Sequence, residues 1–411
     1  MKSALQATGR RAMALLTAAG DNAYLAAVRS GMVTVVPLTI LGGLFMAFAF
    51  LPIPGYEERI KGWLPLLDLP VQATFGMLAV LACLAVASDL AQRLKLEPLP
   101  ASVTAVVAFL LVQLKPGGDG LVMAGLGSAG LFTAILVALV SVRVQRLFTD
   151  MGLVIRLPAG VPPVVQESFL SLVPFVVVVS GFWALRHLLG VDVQGIVSAA
   201  FKPLVSSLDT LPGILAYAFA VTLLWSVGVN GDNTMDAIVA PVFLQYLADN
   251  VEALKAGQPM PHATANGFFT TFVNVGGTGA TLALALVLVR SRDAGFRAVS
   301  RMSLPTQVFQ INEPIFFGLP VVLNPVLMVP YILNALLLTV GSYLLMEAGW
   351  IRKPFVSVPW TTPPIIGHYL MTGYDWRAAV WGVVSLLIAM AVYYPFARAA
   401  ERQRLASASK G

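Results

Sequence analysis

The sequence predicts an all-α polytopic membrane protein, and three observations support this class. Hydrophobic residues make up 58% of the 411 residues, charged residues make up only 11%, and the mean hydropathy is +0.82. A soluble protein has roughly a quarter charged residues, so a fold surrounded by water could not cover this much apolar surface. Residues 134–140 and 282–289 are apolar at every position, which favours helices over the alternating strands of a membrane barrel.

Several segments are long and apolar enough to cross roughly 30 Å of hydrocarbon. The candidate spans are residues 30–52, 71–89, 99–115, 121–142, 168–189, 212–229, 274–290, 326–346 and 378–397. Basic residues precede the first span and follow the last: Lys2, Arg10, Arg11, Arg29, Arg398, Arg402, Arg404 and Lys410. Because basic residues stay in the cytoplasm, both termini are expected there, which requires an even number of crossings, about ten.

The net charge of +6 comes from Lys and Arg residues at the edges of apolar segments. These positions are typical of topology anchors, so we expect no nucleic-acid partner. Residues 1–29 form a basic amphipathic lead-in, which predicts contact with anionic membrane lipid.

The chain is predicted to divide near residue 190. Residues 157–163 are too rich in proline to continue a helix and are expected to form a cytoplasmic elbow. Residues 192–210 have apolar positions at helical spacing, interrupted by charges, which predicts an amphipathic linker helix. We therefore expect an N-terminal membrane domain over 1–190 and a C-terminal domain over 191–411.

The second domain has polar, Gly and Pro interruptions at membrane depth, over residues 233–247, 266–274, 304–322 and 358–371. Irregular backbone is tolerated at that depth only where it is buried in protein or lines a water-filled cavity. We expect these segments to be re-entrant or broken and to form a binding site.

Glu313 is the leading candidate for function. It lies in an apolar stretch beside Gln310 and Asn312, with Pro314 next to it. A carboxylate at membrane depth costs about 2.5–3.5 kcal/mol on insertion scales, which indicates a functional role by default. It can accept hydrogen bonds from a hydroxyl group and can also receive a proton from it. The alternative is a structural carboxylate capped by backbone donors in a cytoplasmic loop.

Residues 225–233 end an apolar span with glycines, amides and a carboxylate. Asn230 and Asn233 offer both donors and acceptors, which suit sugar hydroxyls, although helix capping explains them equally well. Gly231 lies between them. Asp232 is also a favoured cap residue, so capping is its stronger interpretation.

Residues 272–281 form a glycine-rich turn that contains Asn274, Gly276 and Gly277. The turn lacks the lysine of a phosphate-binding loop, so a nucleotide site is disfavoured. Close approach of the backbone to a neutral ligand, or the tip of a re-entrant hairpin, explains the glycines better.

Trp360 and Thr361 lie in a proline-rich segment that cannot be a regular helix. An aromatic face beside hydroxyls suits a sugar ring, although tryptophan is equally common at membrane interfaces. His187 and His262 are expected to be solvated or interfacial, whereas His368 could approach the site.

Cys83 is the sole cysteine and is interpreted as a packed apolar residue. The chain therefore forms no internal disulfide. No spacing of His, Cys and carboxylates indicates a metal centre, and we expect no cofactor.

These motifs together resemble the membrane-embedded IIC component of the bacterial sugar phosphotransferase system, in its lactose/cellobiose/diacetylchitobiose branch. The similar segments are residues 157–163 with Ser168 and Phe169, 276–282, 309–320, 323–325, the motif near Trp360, and 393–396. The resemblance implies a multi-pass protein of the bacterial inner membrane, a homodimer formed through the N-terminal half, and two re-entrant hairpins in the C-terminal half.

The resemblance also implies a mechanism. A β-linked disaccharide or related glycoside would bind with its 6-hydroxyl near Glu313, move inward by an elevator-like motion, and receive phosphate from a soluble phosphorylated IIB protein, itself supplied by IIA. Cys83 lies within a span and cannot be the phosphoryl donor, so the chain would be a membrane subunit whose donor cysteine belongs to IIB.

One position departs from the family pattern. The family has histidine in a Gly-Ile-His-Gly turn, whereas residues 228–231 place Asn230 there. Asparagine forms hydrogen bonds but does not titrate near neutral pH. A secondary sugar transporter that works without phosphorylation is therefore the alternative. A hydrolase acting alone has least support, because the sequence offers no nucleophile–base pair.

Overall fold

The computed structural model describes residues 22–408 except 52, 156, 159, 162, 320 and 323. Within this part of the chain the regular elements are helices, apart from one isolated bridge between Leu114 and Leu121. The all-α expectation is confirmed. Most of the predicted lead-in over residues 1–29 lies outside the described residues. The same holds for Arg156, Pro162, Pro320, Leu323 and Lys410.

Seventeen α-helices are described. They are α1 Ala23–Ala49, α2 Tyr56–Ile60, α3 Leu64–Thr74, α4 Leu78–Arg93, α5 Pro98–Gln113, α6 Met123–Leu126, α7 Leu131–Asp150, α8 Pro163–Trp183, α9 Val193–Leu208, α10 Leu211–Ser226, α11 Gly231–Lys255, α12 Thr281–Leu288, α13 Ala294–Val308, α14 Glu313–Gly318, α15 Pro325–Glu347, α16 Pro364–Met371 and α17 Trp376–Ala408. Short 3₁₀ turns cover Phe75–Met77 and Ser128–Gly130, and π-helical turns cover Ala184–Leu188 and Phe268–Val273.

Seven helices of the described part are long and apolar enough to cross a membrane. The number rises to eight if α9 and α10, which bend by 85° at their junction, count as one broken span. Helix α5 is apolar but shorter. These findings agree with a polytopic membrane protein, while ten crossings and two re-entrant hairpins stay predictions.

The second half differs from the sequence expectation at two places. Residues 233–247 were expected to be re-entrant or broken, and the broken alternative is wrong, since α11 runs unbroken over 25 residues. The polar residues at its start lie in the first turn, where a cap satisfies free backbone N–H groups, so they do not interrupt the helix. Conversely, of the candidate span 274–290 only α12 is α-helical, because Gly276, Gly277 and Gly279 have left-handed backbone angles.

The described residues form two compact units. One contains 22–42, 69–204 and 236–245, and the other contains 43–68, 205–235 and 246–408. Helix α9 agrees with the predicted linker helix over 192–210. The predicted division into 1–190 and 191–411 stays a prediction. Every residue of the candidate site described below belongs to the second unit.

His262 lies at the centre of a polar network in the second unit. Its Nδ1 lies 2.6 Å from an oxygen of Asp209, and its Nε2 lies 3.4 Å from an oxygen of Asp249. The ring of Tyr246 stacks on the imidazole with 4.2 Å between centroids. Burial by itself lowers the pKa of His262, but the hydrogen bonds to the two aspartates outweigh it and raise the pKa to about 9. A fully solvated ring does not fit these contacts, and the interfacial position that was the other expectation for His262 stays a prediction.

The raised pKa of His262 predicts stability that depends on pH. The charged imidazole contributes fully below the unfolded pKa near 6.5, and the contribution is lost as pH rises through about 9. We expect the stabilisation lost to be on the order of 1–3 kcal/mol. Thermal unfolding in detergent should show a falling midpoint between pH 6.5 and 9.5.

His262→Gln should abolish most of that slope. The control is His187→Gln, which should keep the wild-type profile because His187 bonds to the Leu111 carbonyl and to no carboxylate among the described residues. An identical slope in His262→Gln and the wild-type protein would contradict the assignment.

Candidate functional site

The site begins at the break between α10 and α11. Asn230 caps α11, since its side-chain oxygen accepts the backbone N–H of Asn233 at 2.9 Å. The amide nitrogen of Asn230 donates to no described residue. A Cβ on Gly231 would lie 2.1 Å from the carbonyl oxygen of Val221, so only glycine fits there. Asn230 thus combines the capping role with a donor left over for a ligand.

Asp232 is not the cap that its residue type favoured. Its carboxylate accepts the indole N–H of Trp225 at 2.7 Å and the hydroxyl of Thr278 at 2.7 Å. Trp225 lies in α10, Asp232 in α11, and Thr278 in the glycine turn. The carboxylate therefore joins three parts of the second unit.

Gln310 holds the glycine turn. Its side-chain oxygen accepts the backbone N–H groups of Gly276 at 2.9 Å and Gly277 at 3.1 Å, and its amide donates to the Thr270 carbonyl at 3.0 Å. A Cβ on Gly277 would lie 2.5 Å from Cβ of Asn312, so the turn packs directly against that residue. The two turn amides and Gln310 satisfy one another and fix the backbone shape.

Thr278 is the centre of what we call the Thr278 cluster: Asp232, Asn274, Thr278 and Asn312. Besides donating to Asp232, Thr278 accepts from the Asn312 amide through its carbonyl oxygen at 3.1 Å. The amide of Asn274 lies 3.5 Å from the Thr278 hydroxyl. The side-chain oxygen of Asn274 is buried and has no hydrogen-bond partner in the described part of the chain. The cluster thus has an unused acceptor.

Glu313 is the first residue of α14, directly after Asn312. Ile315 and Phe316 of the same helix are buried, whereas the Glu313 side chain is exposed. No described residue forms a hydrogen bond to its carboxylate, although its charge interacts with that of Asp232. The alternative interpretation was a structural carboxylate capped by backbone N–H groups. No such N–H donors to Glu313 are found among the described residues.

Aromatic residues pack near the Thr278 cluster. The ring of Phe316 lies 5.2 Å from that of Trp225 and 5.5 Å from that of Tyr331. A Cβ on Gly279 would lie 2.3 Å from the Tyr331 ring, and the hydroxyl of Tyr393 donates to the Gly279 carbonyl at 2.7 Å. The glycine turn therefore contacts both aromatic rings and amide side chains.

The remaining candidates lie apart from these contacts. Trp360 is 60% exposed and Thr361 is half-buried, both in a turn closed by Thr362 N–H on the Pro359 carbonyl at 2.9 Å. No hydrogen bond or ring contact in the described part of the chain links them to the Thr278 cluster. His368 is fully buried, 4.4 Å from the Phe272 ring, and belongs to the packed core.

Sequence reasoning missed Thr278 and Tyr331, and it underrated Asp232. Thr278 lies 46 residues after Asp232 in the sequence, and no helix or strand periodicity predicts a contact at that separation. The available signal was the glycine turn itself, because a turn at that depth needs side chains to satisfy it.

The chain was compared with known proteins. The family model "Phosphotransferase system, EIIC" matches residues 29–335. The chain is 36% identical to the "PTS system cellobiose-specific EIIC component" of Geobacillus stearothermophilus, over 96% of this chain and 94% of that protein. It is 35% identical to the "Lichenan permease IIC component" of Bacillus subtilis (strain 168), over 93% of this chain and 90% of that protein.

A solved structure is also similar. It is the crystal structure of ChbC, the IIC component of the N,N'-diacetylchitobiose-specific phosphotransferase system. The two chains are 30% identical and superpose with a TM-score of 0.89, covering 97% of this chain and 98% of the other. The resemblance noted from the motifs is confirmed.

The Thr278 hydroxyl should matter for stability. Thr278→Val keeps the shape but leaves Asp232 without one donor, so we expect a loss of about 1–3 kcal/mol in the free energy of unfolding. Thermal unfolding in detergent measures it. The matched control is Thr222→Val, whose hydroxyl bonds only to backbone carbonyls of its own helix, and which should cost about 1 kcal/mol or less. Equal losses in the two variants would rule out a central role for Thr278.

Proposed function

Because the chain belongs to the phosphotransferase system EIIC family, we propose that it binds a β-linked disaccharide or related glycoside of the cellobiose, diacetylchitobiose or lactose type. The chain carries the sugar inward by an elevator-like motion and presents the 6-hydroxyl to phosphorylated IIB. The names of the similar proteins, which refer to cellobiose, lichenan and N,N'-diacetylchitobiose, support a β-glycoside.

The observation that carries the proposal is the unpaired carboxylate of Glu313 beside the Thr278 cluster. An exposed carboxylate can accept a strong, charge-assisted hydrogen bond from a sugar hydroxyl. It can also receive the proton that the hydroxyl loses when phosphate is transferred. Glu313 acts on the 6-hydroxyl in this way, with phosphate coming from a cysteine of IIB.

The other site residues divide into two roles. The unused donor of Asn230 and the unused acceptor of Asn274 bind further hydroxyls, since each amide side chain offers both functions. Gln310, Gly276 and Gly277 hold the shape of the site, because their polar groups already satisfy one another. Asn233, Asn312, Gly231, Trp360 and Thr361 complete the proposed lining, with Trp360 stacking on a sugar ring.

The proposed architecture follows the family. Residues 1–190 form the homodimer interface, residues 191–411 form the mobile substrate domain with two re-entrant hairpins, and both termini face the cytoplasm. The basic residues at both ends support that orientation. IIB and IIA dock from the same side.

A secondary transporter that works without phosphorylation is the second candidate. Asn230 favours it, because its oxygen is committed to capping α11 and its amide cannot titrate near neutral pH. The two candidates differ in what leaves the inner face, a sugar phosphate or an unmodified sugar.

Sugar uptake into vesicles separates these candidates. Vesicles containing the chain should accumulate phosphorylated cellobiose when phosphorylated IIB is supplied inside, and little labelled sugar when IIB is absent. Mass analysis of the internal sugar is the readout. Accumulation of unmodified sugar at the same rate with and without IIB would reject the phosphotransferase permease and support the second candidate.

Glu313→Gln tests the site. The substitution keeps the size of the side chain but removes the charge, so we expect sugar phosphorylation to fall about tenfold or more with the protein still folded. The matched control is Glu252→Gln, which removes a carboxylate that pairs with Lys255 at 3.4 Å and should leave phosphorylation unchanged. Wild-type affinity and turnover in Glu313→Gln would remove this residue from the mechanism.

A further inference from the structure

The first unit contains a cavity of about 400 Å³. Its walls come from the turn between α4 and α5, the last part of α7 and the first part of α8. Candidate spans Leu64–Arg93 and Ser128–Asp150 end there, and Phe169–Leu188 begins there. The cavity therefore lies at the ends of three candidate spans, and its volume is in the range of small-ligand pockets, about 300–1,000 Å³.

Gln145 is one of the residues that line this cavity, and its side-chain amide has an unused hydrogen-bond donor. Its side chain lines the cavity and is 5% exposed, and its Nε2 is buried without a hydrogen-bond partner in the described part of the chain. The neighbouring amide of Gln166 is satisfied, since it donates to the Val161 carbonyl at 3.0 Å. A buried donor left unpaired costs about 1–3 kcal/mol, so turning the Gln145 amide toward an acceptor atom in the cavity would be favourable.

Two opposite charges also line the cavity. The side chains of Lys95 and Glu97 have no ion-pair or hydrogen-bond partner among the described residues. The nearby arginines are occupied: Arg93 pairs with Asp89, and Arg146 pairs with Asp150 at 2.7 Å. Among the described lining residues, the charges available to a ligand are therefore one ammonium and one carboxylate.

We propose that this cavity binds the phosphoethanolamine headgroup of a membrane phospholipid. Lys95 and Gln145 donate to the phosphate, and Glu97 pairs with the ammonium group. A ligand carrying phosphate alone would be repelled by Glu97, whereas a zwitterionic headgroup satisfies both charges. Leu170 and Pro174 on α8 provide apolar contact for the glycerol and the upper acyl chain. This inference does not rest on the proposed sugar transport.

A lipid rather than a soluble compound is favoured by position. The cavity opens among the ends of three candidate spans, where headgroups are concentrated and acyl chains run alongside the helices. Free phosphoethanolamine also carries a phosphate and an ammonium group but has no glycerol or acyl chain to contact α8.

Native mass spectrometry of the purified full chain in non-ionic detergent tests the proposal. The probes are dioleoyl phosphatidylethanolamine, dioleoyl phosphatidylglycerol and free phosphoethanolamine. We expect phosphatidylethanolamine to bind most tightly, and Lys95→Asn, Glu97→Gln and Gln145→Leu each to weaken it about tenfold. Lys115→Asn, which removes an exposed lysine at the opposite end of α5, should bind as the wild type does.

Two of these variants should keep the fold. Lys95 has a left-handed φ of 56°, a conformation that asparagine adopts more readily than lysine. Gln145→Leu removes a buried donor that has no partner, so the lipid-free unfolding temperature should stay equal or rise.

Three results would overturn the proposal. Unchanged phosphatidylethanolamine binding in all three variants would exclude the cavity as the site. Equal affinity for phosphatidylglycerol would exclude recognition of the ammonium group. Binding of free phosphoethanolamine as tight as that of the lipid would exclude a lipid-specific site.

Discussion

The hydrogen bond from the Thr278 hydroxyl to the Asp232 carboxylate, 2.7 Å long, is the contact on which the candidate site depends. It joins the start of α11 to a buried glycine turn whose left-handed backbone is not helical, in a place where unsatisfied polar groups are costly. Trp225 gives Asp232 a second donor from α10. The irregular turn therefore persists because side chains from distant parts of the chain satisfy it.

Most polar groups of the site are used in this internal bonding, and the few left over are the atoms that we propose to bind the ligand. Gln310 and the two glycine amides satisfy one another, and Asn312 donates to Thr278. Glu313 and the side-chain oxygen of Asn274 have no such hydrogen-bond partner among the described residues. A scaffold satisfied internally can present a few unused groups without collapsing onto them, as a preorganised binding site requires.

The sequence predicted the fold class and a helix over residues 192–210, because composition and helical periodicity are local signals. An isolated carboxylate is also a local signal, and it made Glu313 the leading candidate for function. Predictions from the sequence were wrong where tertiary contacts override local signals. Polar residues at the start of α11 resembled a break but form a capped first turn, and the cap is Asn230 rather than Asp232. Thr278 lies 46 residues from its partner Asp232, Gly276 lies 34 residues from its partner Gln310, and no spacing rule connects either pair.

The central claim is that the Glu313 carboxylate binds the 6-hydroxyl of the sugar, and a double-mutant cycle on binding tests it most directly. Equilibrium affinity would be measured for cellobiose and for an analogue whose non-reducing glucose carries hydrogen in place of the 6-hydroxyl, each with the wild type and Glu313→Gln. The account predicts a loss of about tenfold on removing the hydroxyl in the wild type and almost none in the variant. The same loss in both proteins would contradict it.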